Sequence, residues 1–289
     1  MYIIENASIK ATIKPKGAEL VSLLHKVNNL EYMWSGNPAF WGKTSPVLFP
    51  IVGALNDDTF IYEHQSYRLP RHGFARDKIF DVEMHSQEKI VFLLKNDPDT
   101  LQVYPFSFAL RLIYTLHENQ LGVTYQIDNT STKEMLFSVG GHPAFKVPLV
   151  EGTTYEDYYL EFNQNEDLMR WPLADGGLIK LTPEKLIIEK KGLPLSKELF
   201  YQDALVFKYL KSDSVTLKSD KTTHQLQFNY PDFPFLGIWA AKDADFVCIE
   251  PWCGIADSTE HNQQLTTKEG INKLATGQTF SRTWSVVLS

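Results

Sequence analysis

The residues best suited to chemistry fall in four short segments of this 289-residue chain. They are Pro70-Arg71-His72-Gly73-Phe74-Ala75-Arg76, Gly140-Gly141-His142-Pro143-Ala144-Phe145, Tyr201-Gln202-Asp203-Ala204-Leu205-Val206-Phe207 and Phe246-Val247-Cys248-Ile249-Glu250-Pro251-Trp252-Cys253-Gly254. In each, titratable groups stand among glycines, prolines or aromatics. The chemistry they offer is proton transfer.

Glu250 carries the sharpest signal. In a strand, Phe246, Cys248, Glu250 and Trp252 share one face, and Val247 and Ile249 share the other. Both faces are apolar, which predicts a central strand, where a lone carboxylate is costly unless it faces a cavity. Burial beside Trp252 raises a carboxyl's pKa and makes it a better proton acceptor near neutral pH. The competing reading is a structural glutamate satisfied by an ion pair.

His142 follows two glycines and precedes a proline, at the end of a predicted strand Met135–Val139. The glycines let the backbone take unusual dihedrals or approach a ligand closely. A histidine there is placed to donate a proton, given its ordinary pKa of about 6.5; a turn histidine bonded to backbone is the alternative. His72 poses the same choice in a Gly-flanked, arginine-rich setting. Asp203, just before a predicted strand Ala204–Phe207, is either a turn former or a ligand. The remaining histidines, His25, His64, His85, His117, His224 and His261, lie in charged or turn-rich contexts and are expected to be solvated.

The elements that must position these groups read as strands. Ile9, Ala11 and Ile13 alternate with polar neighbours, as do Val123, Tyr125 and Ile127, then Leu226, Phe228 and Tyr230, and finally Trp284, Val286 and Leu288. A period of two marks half-buried strands. Turn clusters separate them at Asn28-Asn29, Asn56-Asp57-Asp58, Asn96-Asp97-Pro98-Asp99, Glu118-Asn119-Gln120 and Asn129-Thr130-Ser131. Phe106 to Asp128 reads as a β-meander or hairpin turning at Glu118-Asn119. Short helical turns are predicted near Pro38–Phe40, Pro183–Ile187 and Ser196–Phe200. No helix of useful length alternates with the strands, so a βαβ sheet is disfavoured. The expected fold is all-β, a large antiparallel β-sandwich in one domain spanning 1–289.

Composition narrows the function. With 43% hydrophobic residues a sizeable core is expected. The net charge of −7, without any Lys/Arg stripe, argues against nucleic acid as a partner. No segment approaches the ~20 apolar residues that span a bilayer. The N-terminus Met1–Asn6 enters a strand pattern directly, without the basic and apolar regions of a secretory signal. Cys248 and Cys253, the only cysteines, then suggest a reducing cytoplasm rather than a disulfide scaffold. Their spacing, without a neighbouring His or Cys cluster, does not make a zinc site.

Taken together, and in this order on an all-β chain, the four segments resemble the aldose 1-epimerase, or galactose mutarotase-like, family. The resemblance covers essentially the whole chain and is closest to a LacX-like bacterial branch, through His72-Gly73-Phe74-Ala75-Arg76 and Gly141-His142-Pro143-Ala144-Phe145. It implies a sandwich with a sugar cleft across one sheet, and interconversion of the α and β anomers of a free sugar. It assigns Glu250 as general base and His142 as general acid, with His72 polarising the transient carbonyl and Asp203 accepting from sugar hydroxyls. Trp41, Phe74, Phe145 and Trp252 have the shape to stack on a sugar's C–H face, although aromatics are equally ordinary core residues. Neither metal nor organic cofactor is required, and a monomer or homodimer is expected.

One departure matters. Galactose mutarotases carry an asparagine–arginine pair upstream of the first histidine, and here the stretch Phe49-Pro50-Ile51-Val52-Gly53 has no arginine. Arg76, or failing that Arg71, is the expected substitute. Three rivals remain: a hexose-6-phosphate 1-epimerase, for which this region offers only Lys43, Arg71 and Arg76; a sugar-binding protein without turnover; and a glycosidase, which would need a second catalytic carboxylate.

Overall fold

A computed structural model describes residues 1–187 and 192–289. The alternating segments are strands whose apolar members point inward. In Ile9–Lys14, Gln120–Asn129 and Thr279–Leu288 the residues named above are buried, and Tyr230 lies buried just past the strand Leu226–Asn229. Phe108–His117 and Gln120–Asn129 form the expected hairpin, in register from Phe108 opposite Asn129 to His117 opposite Gln120. Its turn places Glu118 in the left-handed region, as Asn29, Asp57 and Asp58 are in theirs.

Two large antiparallel sheets build the sandwich. A nine-stranded sheet runs Gly192–Pro194, Tyr158–Phe162, Ser214–Ser219, Leu226–Asn229, Thr279–Leu288, Gln120–Asn129, Phe108–His117, Lys89–Lys95, Asp81–His85. An eight-stranded sheet carries Phe246–Cys253 between Phe235–Trp239 and Val139–Gly141, with Ala144–Lys146 also paired to it. Every residue of Phe246–Cys253 is buried, as a central strand requires. One apolar cluster extends from Ile4 to Leu288, and neither cysteine is paired.

Several local expectations change. The predicted strand Met135–Val139 is two strands, Met135–Phe137 and Val139–Gly141, which pair in different sheets. The break falls at Ser138, whose N–H donates to the Pro50 carbonyl while its side chain packs against the α-carbon of Gly254. Asn96–Asp99 is not only a turn: Asp97 caps a short helix, Pro98–Val103, through a reciprocal bond with Thr100. Near Pro183–Ile187 there is a strand, Glu184–Lys185, instead of a helical turn. Its pairing with Met169–Arg170 and the 2.7 Å Arg170–Glu184 ion pair outweigh local propensity. The other two helical turns are present, as amide bonds from Phe40 and Trp41 to the Asn37 carbonyl and as the 3₁₀ helix Lys197–Phe200.

Two histidines expected in solvent are largely covered. His25 ends the strand Glu19–His25 on its inward face, and His261 lies 3.7 Å from buried Asp257.

Candidate active site

The eight-stranded sheet forms one wall of a cavity of about 500 Å³, and residues from all four segments line it. His72, Arg71 and Arg76 come from the first, His142 from the second, Asp203, Ala204 and Val206 from the third, Glu250 and Trp252 from the fourth. Trp41 also faces it, whereas Phe74 and Phe145 pack in the core.

Two glycines explain how a large indole fits beside Glu250. Gly140 pairs with Trp252 across one strand boundary and Gly237 with Glu250 across the other. A β-carbon on Gly140 would come 2.6 Å from Trp252 Cδ1, and one on Gly237 would collide with the indole's six-membered ring. Gly141, facing the opposite way, lets the second sheet approach. A β-carbon there would be 2.5 Å from the Tyr125 hydroxyl, which accepts from buried Trp284 Nε1 at 2.8 Å. The Gly140-Gly141 pair therefore serves close approach on both faces of the sheet, and neither residue has a positive φ.

Glu250 is 2% exposed, and its Oε2 stands 3.3 Å from His142 Nε2. The contact lies off the line of a hydrogen bond. Glu250 Oε2, His142 Nδ1 and Trp252 Nε1 are all buried without a hydrogen-bond partner among the described residues. Burial pushes the Glu250 carboxyl well above the usual carboxylate range; Arg71 and Trp252 oppose the rise and Asp203 adds to it. Burial likewise pushes the His142 imidazole down to about 3, well away from the ordinary value that recommends histidine as a donor. The ring stacks on Trp41, centroids 4.9 Å apart, with Trp239 edge-on at 5.5 Å.

His72 has φ +70°, followed by Gly73 at +69°, so the loop reverses sharply and turns the imidazole inward. Gly53 N–H donates to His72 Nδ1 at 3.1 Å, and His72 N–H donates to the Gly53 carbonyl at 2.9 Å. With Nδ1 accepting, the neutral ring carries its proton on Nε2. Burial holds this ring neutral, its pKa well below the ordinary value, and the neighbouring His142, Arg71 and Arg76 add to that.

Arg76 Nη2 donates to the Arg71 carbonyl at 2.8 Å, while its Nε is buried and unbonded, 3.8 Å from Asp77. Arg71, 43% exposed, lies 3.7 Å from Asp203 Oδ2. Asp203 sits at φ +85° and accepts from the Ala204 amide at 2.7 Å. Both arginines weighed from sequence thus reach the cavity. Lys43 does not line it and faces Asp77 at 3.5 Å.

Sequence reasoning missed part of the wall. Trp239, Leu173, Gly177 and Ile179 line the cavity, and a buried ion pair braces it. Lys268 Nζ donates to Asp257 Oδ1 at 2.7 Å, and the Asn56 amide donates to Asp257 Oδ2 at 3.0 Å. Asp257 also bonds Ala54 and Ile179 through its backbone, tying together three loops. The glycine inside Phe235–Trp239 was the one available signal, since a strand glycine marks close approach. Asp257 and Lys268 gave none.

Comparison with known proteins decides the family. The sequence profile described as aldose 1-epimerase matches residues 1–271. The chain belongs to the aldose 1-epimerase family. The chromosomal LacX protein of Lactococcus lactis subsp. lactis is 34% identical over 99% of this chain and 98% of its own. A galactose mutarotase related enzyme from Lactobacillus acidophilus is 38% identical, with a TM-score of 0.95 over 100% of this chain and 97% of that one. A galactose mutarotase-like protein from Lactobacillus casei is 33% identical, with a TM-score of 0.94 and full coverage of both chains. The fold is thus the antiparallel sandwich of this aldose 1-epimerase family, as expected from sequence. Among the described residues, no helix is long and apolar enough to cross a membrane.

Proposed function

We propose that this chain is an aldose 1-epimerase that interconverts the anomers of a free aldohexose, with Glu250 and His142 as its proton-transfer pair. The observation that carries the reading is their 3.3 Å contact, buried on the wall of the cavity. Ring opening needs a base for the C1 hydroxyl proton and an acid for the ring oxygen. Both oxygens are attached to C1, so adjacent groups reach both. Glu250 takes the hydroxyl proton as the bond from C1 to the ring oxygen breaks, and His142 protonates that oxygen. Rotation about C1–C2 and reversal of both transfers closes the other anomer. The pair holds one exchangeable proton throughout.

His72 Nε2–H is a donor for the transient carbonyl. Asp203 and Arg76 bond sugar hydroxyls, and Trp252 stacks on the ring's C–H face. The unpaired cysteines accord with a reducing cytoplasm.

A second reading, a hexose 6-phosphate as substrate, is favoured by Arg71 and Arg76 lining one cavity. The Asp203 carboxylate 3.7 Å from Arg71 weighs against it. Polarimetry of freshly dissolved anomers, run in parallel on hexoses and their 6-phosphates, tests both. The first reading expects faster turnover of the neutral sugars. A strong preference for the phosphates would install the second, and no acceleration of either would remove both.

A further inference from the structure

We propose that Cys248, His142 and Glu250 form an inhibitory binding site for a thiophilic divalent cation such as zinc, at the floor of the cavity. One ligand atom from each of the three lies within 4.8 Å of the others. Cys248 and Glu250 alternate along Phe246–Cys253 and so project from the same face, while His142 reaches them from the turn between the two strands paired with it. Sequence spacing hides this cluster, because His142 is remote in the chain.

The geometry suits tetrahedral coordination. Bonds of about 2.0–2.1 Å to nitrogen and oxygen give an N···O edge of about 3.3 Å. The His142–Glu250 contact is already 3.3 Å. A zinc–sulfur bond of about 2.3 Å gives S···N and S···O edges of about 3.6 Å, so Cys248 Sγ must close by at most about 1.2 Å. A buried oxygen, Glu250 Oε2, has no hydrogen-bond partner among the described residues and lies beside His142 Nε2.

Charge and softness agree. A thiolate and a carboxylate neutralise a dication, so the occupied floor carries no net charge where an uncompensated one is costly. Binding displaces the thiol proton. A thiolate selects zinc-like ions over magnesium or calcium. His142 and Glu250 line the cavity while Cys248 is fully buried behind them, so a fourth ligand would approach from the cavity side. The ion would take up the lone pairs of His142 and Glu250 that the proposed reaction uses, so it inhibits. That inhibition rests on the mutarotase reading; the binding site does not.

The test uses the purified full chain, with zinc binding followed by calorimetry and cobalt(II) binding by near-ultraviolet thiolate charge-transfer absorption. Zinc should inhibit turnover reversibly, relieved by chelator, and cobalt should give the thiolate band. Cys248→Ala should keep the metal-free rate, lose the band and need at least about tenfold more zinc for the same effect. Cys248→Ser, closer in size, serves if the alanine variant does not fold. Absence of the cobalt band in the wild-type protein, or unchanged zinc affinity in the variants, would overturn the site. A band without any loss of turnover would overturn its inhibitory role. Because binding is read without turnover, a failure of the mutarotase reading remains separable.

Discussion

The Gly53 amide bonded to His72 Nδ1 at 3.1 Å determines which nitrogen of that ring can donate into the cavity. A neutral imidazole that accepts at Nδ1 presents Nε2–H. His72→Asn, which keeps an acceptor near the Nδ1 position, tolerates the positive φ and has no donor at the Nε2 position, should lower kcat by roughly 10²-fold, the scale of losing one donor to a developing carbonyl charge, with little change in KM. A wild-type kcat in a folded variant, checked by circular dichroism, would remove His72 from the reaction.

Glu250→Gln should slow mutarotation by roughly 10²–10⁴-fold, because the amide keeps the shape and cannot take a proton. Its Tm should be no lower than wild type, since a neutral amide escapes the burial cost that raises the carboxyl's pKa. Near-normal turnover by the folded variant would sink the base assignment.

Arg76 donates to the Arg71 carbonyl at 2.8 Å, and this bond fixes its guanidinium at the cavity wall. Arg76→Lys cannot reproduce that geometry. KM should rise roughly tenfold, the scale of one charge-assisted hydrogen bond, without unfolding. If Arg76 only screens Asp77 at 3.8 Å, a pair of that kind contributes about 0–1 kcal/mol, and sugar kinetics would be untouched.

Glu19 supplies a pH prediction. Burial alone would raise its pKa, but hydrogen bonds from Lys14, Thr44 and Ser45 and the Lys14 charge hold it below the ordinary value. A depressed folded-state pKa stabilises above the unfolded value, and the contribution is lost as pH falls through the folded one. Glu19→Gln should therefore be less stable at pH 7, and the gap from wild type should shrink under acid. Urea titrations at both pH values decide it; a gap that stays constant would show that the charge is immaterial.

Lys268→Met should cost about 3–5 kcal/mol by stranding buried Asp257, and adding Asp257→Asn should recover much of it. Denaturant midpoints of the single and double variants measure the coupling. Additive losses would mean the two residues act separately.

Local pattern alone determined the strands, most turns and the all-β class, because side-chain alternation and turn chemistry act over a few residues. It also marked Glu250 and His142, since a carboxylate on an apolar strand and a histidine after two glycines are anomalies visible without neighbours. What it could not supply was anything decided across the chain. The break at Ser138 depends on Gly254, the depressed pKa of His142 on its burial, and the tautomer of His72 on Gly53. Lys268 reads as an ordinary surface lysine until the fold buries it against Asp257. Cys248 likewise has only Glu250 beside it in sequence, and gains His142 only when the strands flanking that histidine pair with Phe246–Cys253. Desolvation and contact between remote residues exist only once the sheets have packed, so tertiary structure alone decided them.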